Sequence, residues 1–159
     1  DCLLSRGLGD VYKRQDQDGY SRSTSVDQPD ARISATVSQR CLHLQLNNGA
    51  TLNAFDEGLA RAMRYHLHKA ADDPRIDYVL VTSLCEKSFS SGGNVRKIAD
   101  LYEEGHAARA EEFFAIEYDL CAFISEFPKP YIALVDGYCI GGGLGISANG
   151  QFMVVSEKP

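Results

Sequence analysis

The chain has 159 residues, 44% of them hydrophobic, and a formal net charge of −6. That is one domain's worth of chain with enough apolar side chains for a core, and it lacks the basic excess that non-specific binding to nucleic acid needs. No apolar run approaches the roughly 20 residues of a membrane-spanning helix, and no charged-then-apolar leader is visible.

Five cysteines (Cys2, Cys41, Cys85, Cys121 and Cys139) are scattered without a CxxC pair. They read as reduced, mostly buried thiols of a cytosolic protein, and no metal site is expected. Residues 1–15 show neither a helical nor a strand period and resemble translated adapter sequence, so they are read as a non-native lead. Residues 16–30, rich in Ser, Asp, Gln and Gly, read as flexible lead-in, which puts the domain at 31–159. This acidic stretch is a poor transit peptide, so the expected location is the cytoplasm.

Ile33 to Ser38 and Cys41 to Leu46 alternate apolar and polar residues. They read as half-buried strands joined as a hairpin at Gln39-Arg40. After the turn Asn47-Asn48-Gly49, Asp56 is placed to cap a helix that carries Leu59, Met63, Leu67 and Ala70 on one face. Asp72-Asp73-Pro74 ends that helix. His43, His66 and His68 read as surface or core-edge residues; His66 and His68 do not share a helix face.

Tyr78 to Ser83 is the next strand. Phe89-Ser-Ser-Gly-Gly-Asn94 follows, and a helix from Val95 to Tyr102 begins with Asn94 as its cap. Gly105 interrupts before a long helix from about Ala107 to Phe127. Its apolar stripe includes Ala110, Phe113, Phe114, Leu120, Cys121, Ile124 and Phe127, and Glu117 falls on that stripe. A carboxylate there needs a partner or a cavity, unless it lies at the margin and reaches water. Glu111, Glu112 and Asp119 read as a solvated face.

Pro128-Lys-Pro130 introduces the strand Tyr131 to Val135. Gly141, Gly142 and Gly143 then stand where a loop turns into a helix, and Gln151 to Ser156 is a last strand. The order of elements is that of an α/β fold with crossover connections. Three glycines in a row mean either close helix–strand packing or an approach of ligand to free backbone N–H groups. Two strand–glycine–helix units in one chain could each give one N–H to a shared oxygen, which a tetrahedral or enolate oxyanion requires.

Leu52-Asn53-Ala54, Phe89 to Asn94 and Asp136-Gly137 through Gly145 resemble the enoyl-CoA hydratase/isomerase (crotonase) superfamily. The resemblance runs over about Ile33 to Pro159. Within it, Phe-Ser-Ser-Gly-Gly-Asn, Glu117-Tyr118, Pro128-Lys-Pro130, Gly-Gly-Gly-Leu-Gly-Ile-Ser and Gly150-Gln-Phe-Met-Val resemble the 3-hydroxyisobutyryl-CoA hydrolase branch. It implies a spiral of repeated ββα units, truncated here before the C-terminal helices. It implies that the N–H groups of Gly93 and Gly142 form an oxyanion hole for an acyl-CoA thioester, with Gly92, Asn94, Gly141 and Gly145 lining the substrate site.

Glu117 matches a substrate-contacting glutamate of the hydrolases. Gly145 stands where the hydratases carry a catalytic glutamate, which favours hydrolysis. Asn94 departs from the family's usual aspartate yet can still cap. The resemblance places the acid/base carboxylates just after residue 159. No cofactor is expected beyond the coenzyme A of the substrate. The expected partners are the acyl-CoA and, in a full-length protein, further copies of itself. The competing expectations are enoyl-CoA hydratase or isomerase chemistry, and a non-catalytic acyl-CoA-binding subunit.

Overall fold

The computed structural model describes residues 28–157, so the reading of residues 1–27 as lead-in lies outside the described residues. Twelve short segments follow from there. The strands are β1 (Ile33–Ser38), β2 (Cys41–Leu46), β3 (Tyr78–Ser83), β4 (Ser88–Ser90), β5 (Tyr131–Val135), β6 (Tyr138–Cys139) and β7 (Phe152–Val155). The helices are α1 (Glu57–Asp72), α2 (Val95–Glu103), α3 (Ala107–Ser125) and α4 (Gly142–Ala148), and a 3-10 turn covers Gly49–Thr51. α3 therefore stops two residues short of the expected Phe127, where Pro128 disfavours a helical residue before it.

Five strands form one sheet in the order β1-β2-β3-β5-β7. β1 and β2 are antiparallel, and the remaining neighbours are parallel. The hairpin turns at Gln39 and Arg40, both at positive φ (49° and 64°), which suits the twist of a two-residue connection. β1 lies at the sheet edge and buries only Ile33; Val37 is exposed, so the expected half-buried alternation holds for β2 and not for β1.

α1 packs its expected face into the core. Leu59, Met63, Leu67 and Ala70 are all fully buried against Leu44, Leu46, Val79 and Val81 of the sheet's core cluster. Burying four such side chains contributes on the order of 1.5–3 kcal/mol for each large one, which explains why this helix survives two histidines and a tyrosine of modest propensity. Asp56 caps it by accepting a hydrogen bond from Leu59 N–H at 3.0 Å. At the other end Lys129 donates to Ala70 O (2.5 Å) and Asp73 O (2.7 Å), fastening the end of α1 to the approach to β5.

α3 crosses α1, and Glu112 and Asp119 reach Arg61 and Arg64 at 3.7 and 3.8 Å. These two carboxylates were expected on a solvated face; they stand at a helix–helix seam instead. Phe114 is exposed and leaves the stripe. Of the four described cysteines all are free thiols, but only Cys41 is buried, which corrects the expectation of mostly buried thiols.

Candidate active site

The glycine segments do not follow the long strands directly, as the sequence pattern implied. Two short strands intervene. β4 and β6 pair in parallel, Ser88 with Tyr138 and Ser90 with Cys139. Because they lie side by side, the turns that leave them also lie side by side. Ile140 N–H donates to Ser90 O at 3.0 Å and lays the second turn on the first. Asn53 supports this arrangement from below. Fully buried and at positive φ (56°), it donates from Nδ2 to Ser83 Oγ (2.7 Å) and Phe89 O (3.0 Å), and its Oδ1 accepts from Asn48 N–H (2.7 Å).

The turns meet backbone to backbone. A Cβ on Gly92 would lie 2.6 Å from Ile140 O, and one on Gly141 would lie 3.7 Å from Gly92 Cα. Both glycines are at positive φ, 85° and 52°. Gly143 fits against Ser90, where a Cβ would stand 2.8 Å from the carbonyl oxygen. Close packing therefore accounts for Gly92 and Gly143, and the positive φ for Gly141.

Gly93 and Gly142 are different. Phe55 N–H donates to Gly92 O and Asn94 N–H donates to Phe55 O, each at 2.7 Å. These two bonds straddle Gly93 and leave its own N–H without a partner among the described residues. Gly142 is the first residue of α4, where a helix has no internal acceptor for its N–H. The bonds of that turn run from Gly143 N–H to Ile140 O and from Leu144 N–H to Gly141 O, and Gly142 N–H again has no partner among the described residues.

Both glycines face one carboxylate. A Cβ on Gly93 would stand 3.7 Å from Glu117 Oε2, and one on Gly142 would run into Glu117 Oε1 and lie 3.0 Å from Cδ. Glu117 is only 7% exposed, so it does not sit at the margin of the α3 stripe. It makes no hydrogen bond or ion pair with the described residues. Burial pushes its carboxyl above the usual glutamate range. An acid so placed can hold a proton or accept one from a bound ligand.

The remaining expected residues frame this centre. Asn94 caps α2, its Oδ1 accepting from Lys97 N–H at 3.1 Å, so its side chain is engaged with the backbone. Gly145 sits in α4 opposite Cys121 of α3, and a Cβ there would stand 2.7 Å from Cys121 Sγ. Burial, then the nearby charge of Glu117, pushes the Cys121 thiol up to about 11, so it is no thiolate nucleophile at neutral pH. Tyr131, fully buried, donates from its hydroxyl to Ile146 O at 2.7 Å and holds α4 to β5. Phe113 was read from the sequence as core only; its ring edge lies 3.4 Å from the Cβ position of Gly93, so it is also a wall of the site. Among the described residues no three His, Cys, Asp or Glu side chains cluster as a metal site. No described helix is long and apolar enough to cross a membrane.

The family model described as enoyl-CoA hydratase/isomerase matches residues 41–159. The mitochondrial 3-hydroxyisobutyryl-CoA hydrolase of Xenopus tropicalis is 37% identical over 115 residues, which cover 72% of this chain and 30% of that protein. The enzyme of the same name from Homo sapiens is 35% identical over the same shares. The chain thus spans about a third of the length of the curated relatives it matches. An enoyl-CoA hydratase from Rhodobacter sphaeroides shares the fold with a TM-score of 0.77 at 24% identity, covering 80% of this chain and 38% of that one. A carnitinyl-CoA dehydratase from Mycobacterium thermoresistibile superposes with a TM-score of 0.72 at 30% identity, covering 79% and 37%.

Proposed function

The chain belongs to the enoyl-CoA hydratase/isomerase family, and from that premise we propose that it carries the carbonyl-binding half of an active site that hydrolyses a short hydroxyacyl-CoA thioester. The observation that carries this reading is the buried, unpartnered carboxylate of Glu117 facing both Gly93 and Gly142.

The thioester oxygen accepts from the unspent N–H groups of Gly93 and Gly142. Two donors fixed by paired strands need no reorganisation as negative charge builds on that oxygen, and each is worth about 3–4 kcal/mol in the transition state. Glu117 accepts the hydroxyl of the acyl group and fixes its orientation. Its raised affinity for protons suits contact with a hydroxyl more than with a cation. The carboxylate that directs water to the thioester carbon comes from residues outside this chain. Gly145 itself carries no acid, and a Cβ there would press on Cys121 Sγ, which supports hydrolysis over hydration.

The test is thiol release from 3-hydroxyisobutyryl-CoA by the full-length protein, with crotonyl-CoA hydration measured beside it. Thiol release without hydration is the expected result. Hydration without thiol release overturns the hydrolase reading and keeps the oxyanion site. Tight acyl-CoA binding with neither activity means a binding subunit.

A further inference from the structure

Ser90 is the last residue of β4 and is fully buried. Its hydroxyl donates to Asn53 O at 2.9 Å and accepts from Gly92 N–H at 3.1 Å. Neither of those backbone groups has another partner among the described residues. A buried hydroxyl that donates once and accepts once is held in a single orientation.

Both halves of the oxyanion site bear on this one residue. On the first side, Gly92 is held at its N–H by Ser90 Oγ and at its O by Phe55 N–H at 2.7 Å. The Gly93 N–H lies in the same planar peptide unit as Gly92 O, so fixing Gly92 at both ends aims that N–H. On the second side, Ser90 O accepts from Ile140 N–H at 3.0 Å. Gly143 rests on the same residue: a Cβ there would stand 2.8 Å from Ser90 O and 3.2 Å from Ser90 Oγ. The short segment that carries Gly142 is thus seated on Ser90 at both of its ends.

We infer that Ser90 is a positioning residue for the reaction, which sets the separation and aim of the Gly93 and Gly142 N–H groups. This rests on the oxyanion reading of those two glycines. Loss of the hydroxyl leaves Gly92 N–H and Asn53 O buried without partners, and the turn shifts to relieve them. Ser88 supplies the comparison. It is equally buried on the same strand, and its hydroxyl meets Leu52 O at 3.2 Å and Tyr138 O at 3.0 Å. It bonds to no residue next to Gly93 or Gly142.

The experiment uses the full-length protein and the variants Ser90→Ala, Ser90→Cys and Ser88→Ala. The probe is a ketone analogue of 3-hydroxyisobutyryl-CoA, with methylene in place of sulfur and an isotope label at the carbonyl carbon. Its infrared carbonyl stretch falls when the bound oxygen accepts hydrogen bonds. Thiol release from 3-hydroxyisobutyryl-CoA is measured beside it, per folded molecule. Ser90→Ala is expected to lose about tenfold in kcat with little change in KM, and to lose part of the fall in stretch. Ser90→Cys, whose thiol is a weak donor and acceptor, recovers part of both. Ser88→Ala loses stability but keeps kcat and stretch. Equal changes in Ser90→Ala and Ser88→Ala make Ser90 merely structural and overturn the inference. So does an unchanged stretch in Ser90→Ala. If Ser90→Ala does not fold, amide exchange on the native protein decides. Without ligand, Gly92 and Ile140 amides should exchange as slowly as those of β3, and fast exchange of either overturns the inference. A native protein that leaves the carbonyl stretch of the bound probe unshifted overturns the oxyanion reading itself, and the inference with it.

Discussion

The carboxylate of Glu117 and the α-carbon of Gly142 stand so close that no side chain fits between them. One residue comes from the middle of α3 and the other from the first position of α4, and their contact closes the centre of the site. The obstructing atoms belong to the tip of a flexible side chain, so alanine at position 142 can be accommodated if Glu117 turns away. Gly142→Ala is therefore expected to fold with little change in thermal midpoint and to lose about 10²–10³-fold in thioester turnover, the effect of spoiling one oxyanion donor. Circular dichroism melts beside thiol-release kinetics check it. Unchanged turnover would remove Gly142 from the chemistry.

Glu117 gives a second expectation, on pH. Its folded-state affinity for protons is raised above the unfolded value near 4.5. The folded state then binds more protons than the unfolded one, so stability is fullest below about that pH and falls as pH rises through the higher folded value. Glu117→Gln mimics the protonated acid. It is expected to melt higher than the native protein at pH 7, with the gap closing below the unfolded pKa. It should also lose about a hundredfold in turnover on a hydroxyacyl substrate. A gap that does not vary with pH would show that burial of charge is not its cause.

How far the sequence disclosed this site depends on what kind of order each residue follows. The periodic faces of α1 and α3 were legible because core packing repeats at helical spacing, and so was the odd place of Glu117 on such a face. Asn94 and Asp56 were legible as caps, since their side chains serve backbone only three residues away. β4 and β6 were not, because three- and two-residue strands have no period to read; yet their pairing is what makes the two glycine turns adjacent. Asn53 hid for a related reason. Its partners lie at Ser83 and Phe89, 30 and 36 residues away, and no local pattern marks such a link. The resemblance to crotonases supplied the expectation for Gly93 and Gly142 that spacing alone left open against simple packing.

Asp56 ties the start of α1 to Arg32, just ahead of β1, and to Lys97 of α2. Burial raises its proton affinity, but hydrogen bonds from Arg32, the Leu59 N–H and Lys97 outweigh that and hold its carboxyl down at about 2. A depressed acid adds stability above its unfolded value of 3.8 that is lost as pH falls toward 2. Asp56→Asn keeps an acceptor for Leu59 and gives up the ion pairs, whereas Asp56→Ala gives up both. Alanine is expected to cost about 1–2 kcal/mol at pH 7 and asparagine less. The loss of acid sensitivity between pH 4 and 2 should be common to both. Urea titrations across that range decide it; if asparagine retains the native pH dependence, the carboxylate's ion pairs are not its source.

Gly92 tests whether the two turns act as one unit. It is at φ 85°, and a Cβ would press on Ile140 O at 2.6 Å, an obstruction made of backbone that cannot rotate aside. Gly92→Ala carries both a left-handed backbone penalty and an overpacking penalty, together roughly 3 kcal/mol. Gly105 is also at positive φ, 77°, but has open space around it, so Gly105→Ala carries the backbone penalty alone. The expected order of stability is native, then Gly105→Ala, then Gly92→Ala. Gly92→Ala should also lower turnover in the fraction that stays folded, because moving Ile140 moves the start of α4 and the Gly142 N–H with it. Gly105→Ala, between α2 and α3, should leave turnover per folded molecule unchanged. Equal turnover in the two folded variants would mean that the turns shift independently, and that the Gly142 N–H is placed by α4 and Tyr131 rather than by contact with Gly92.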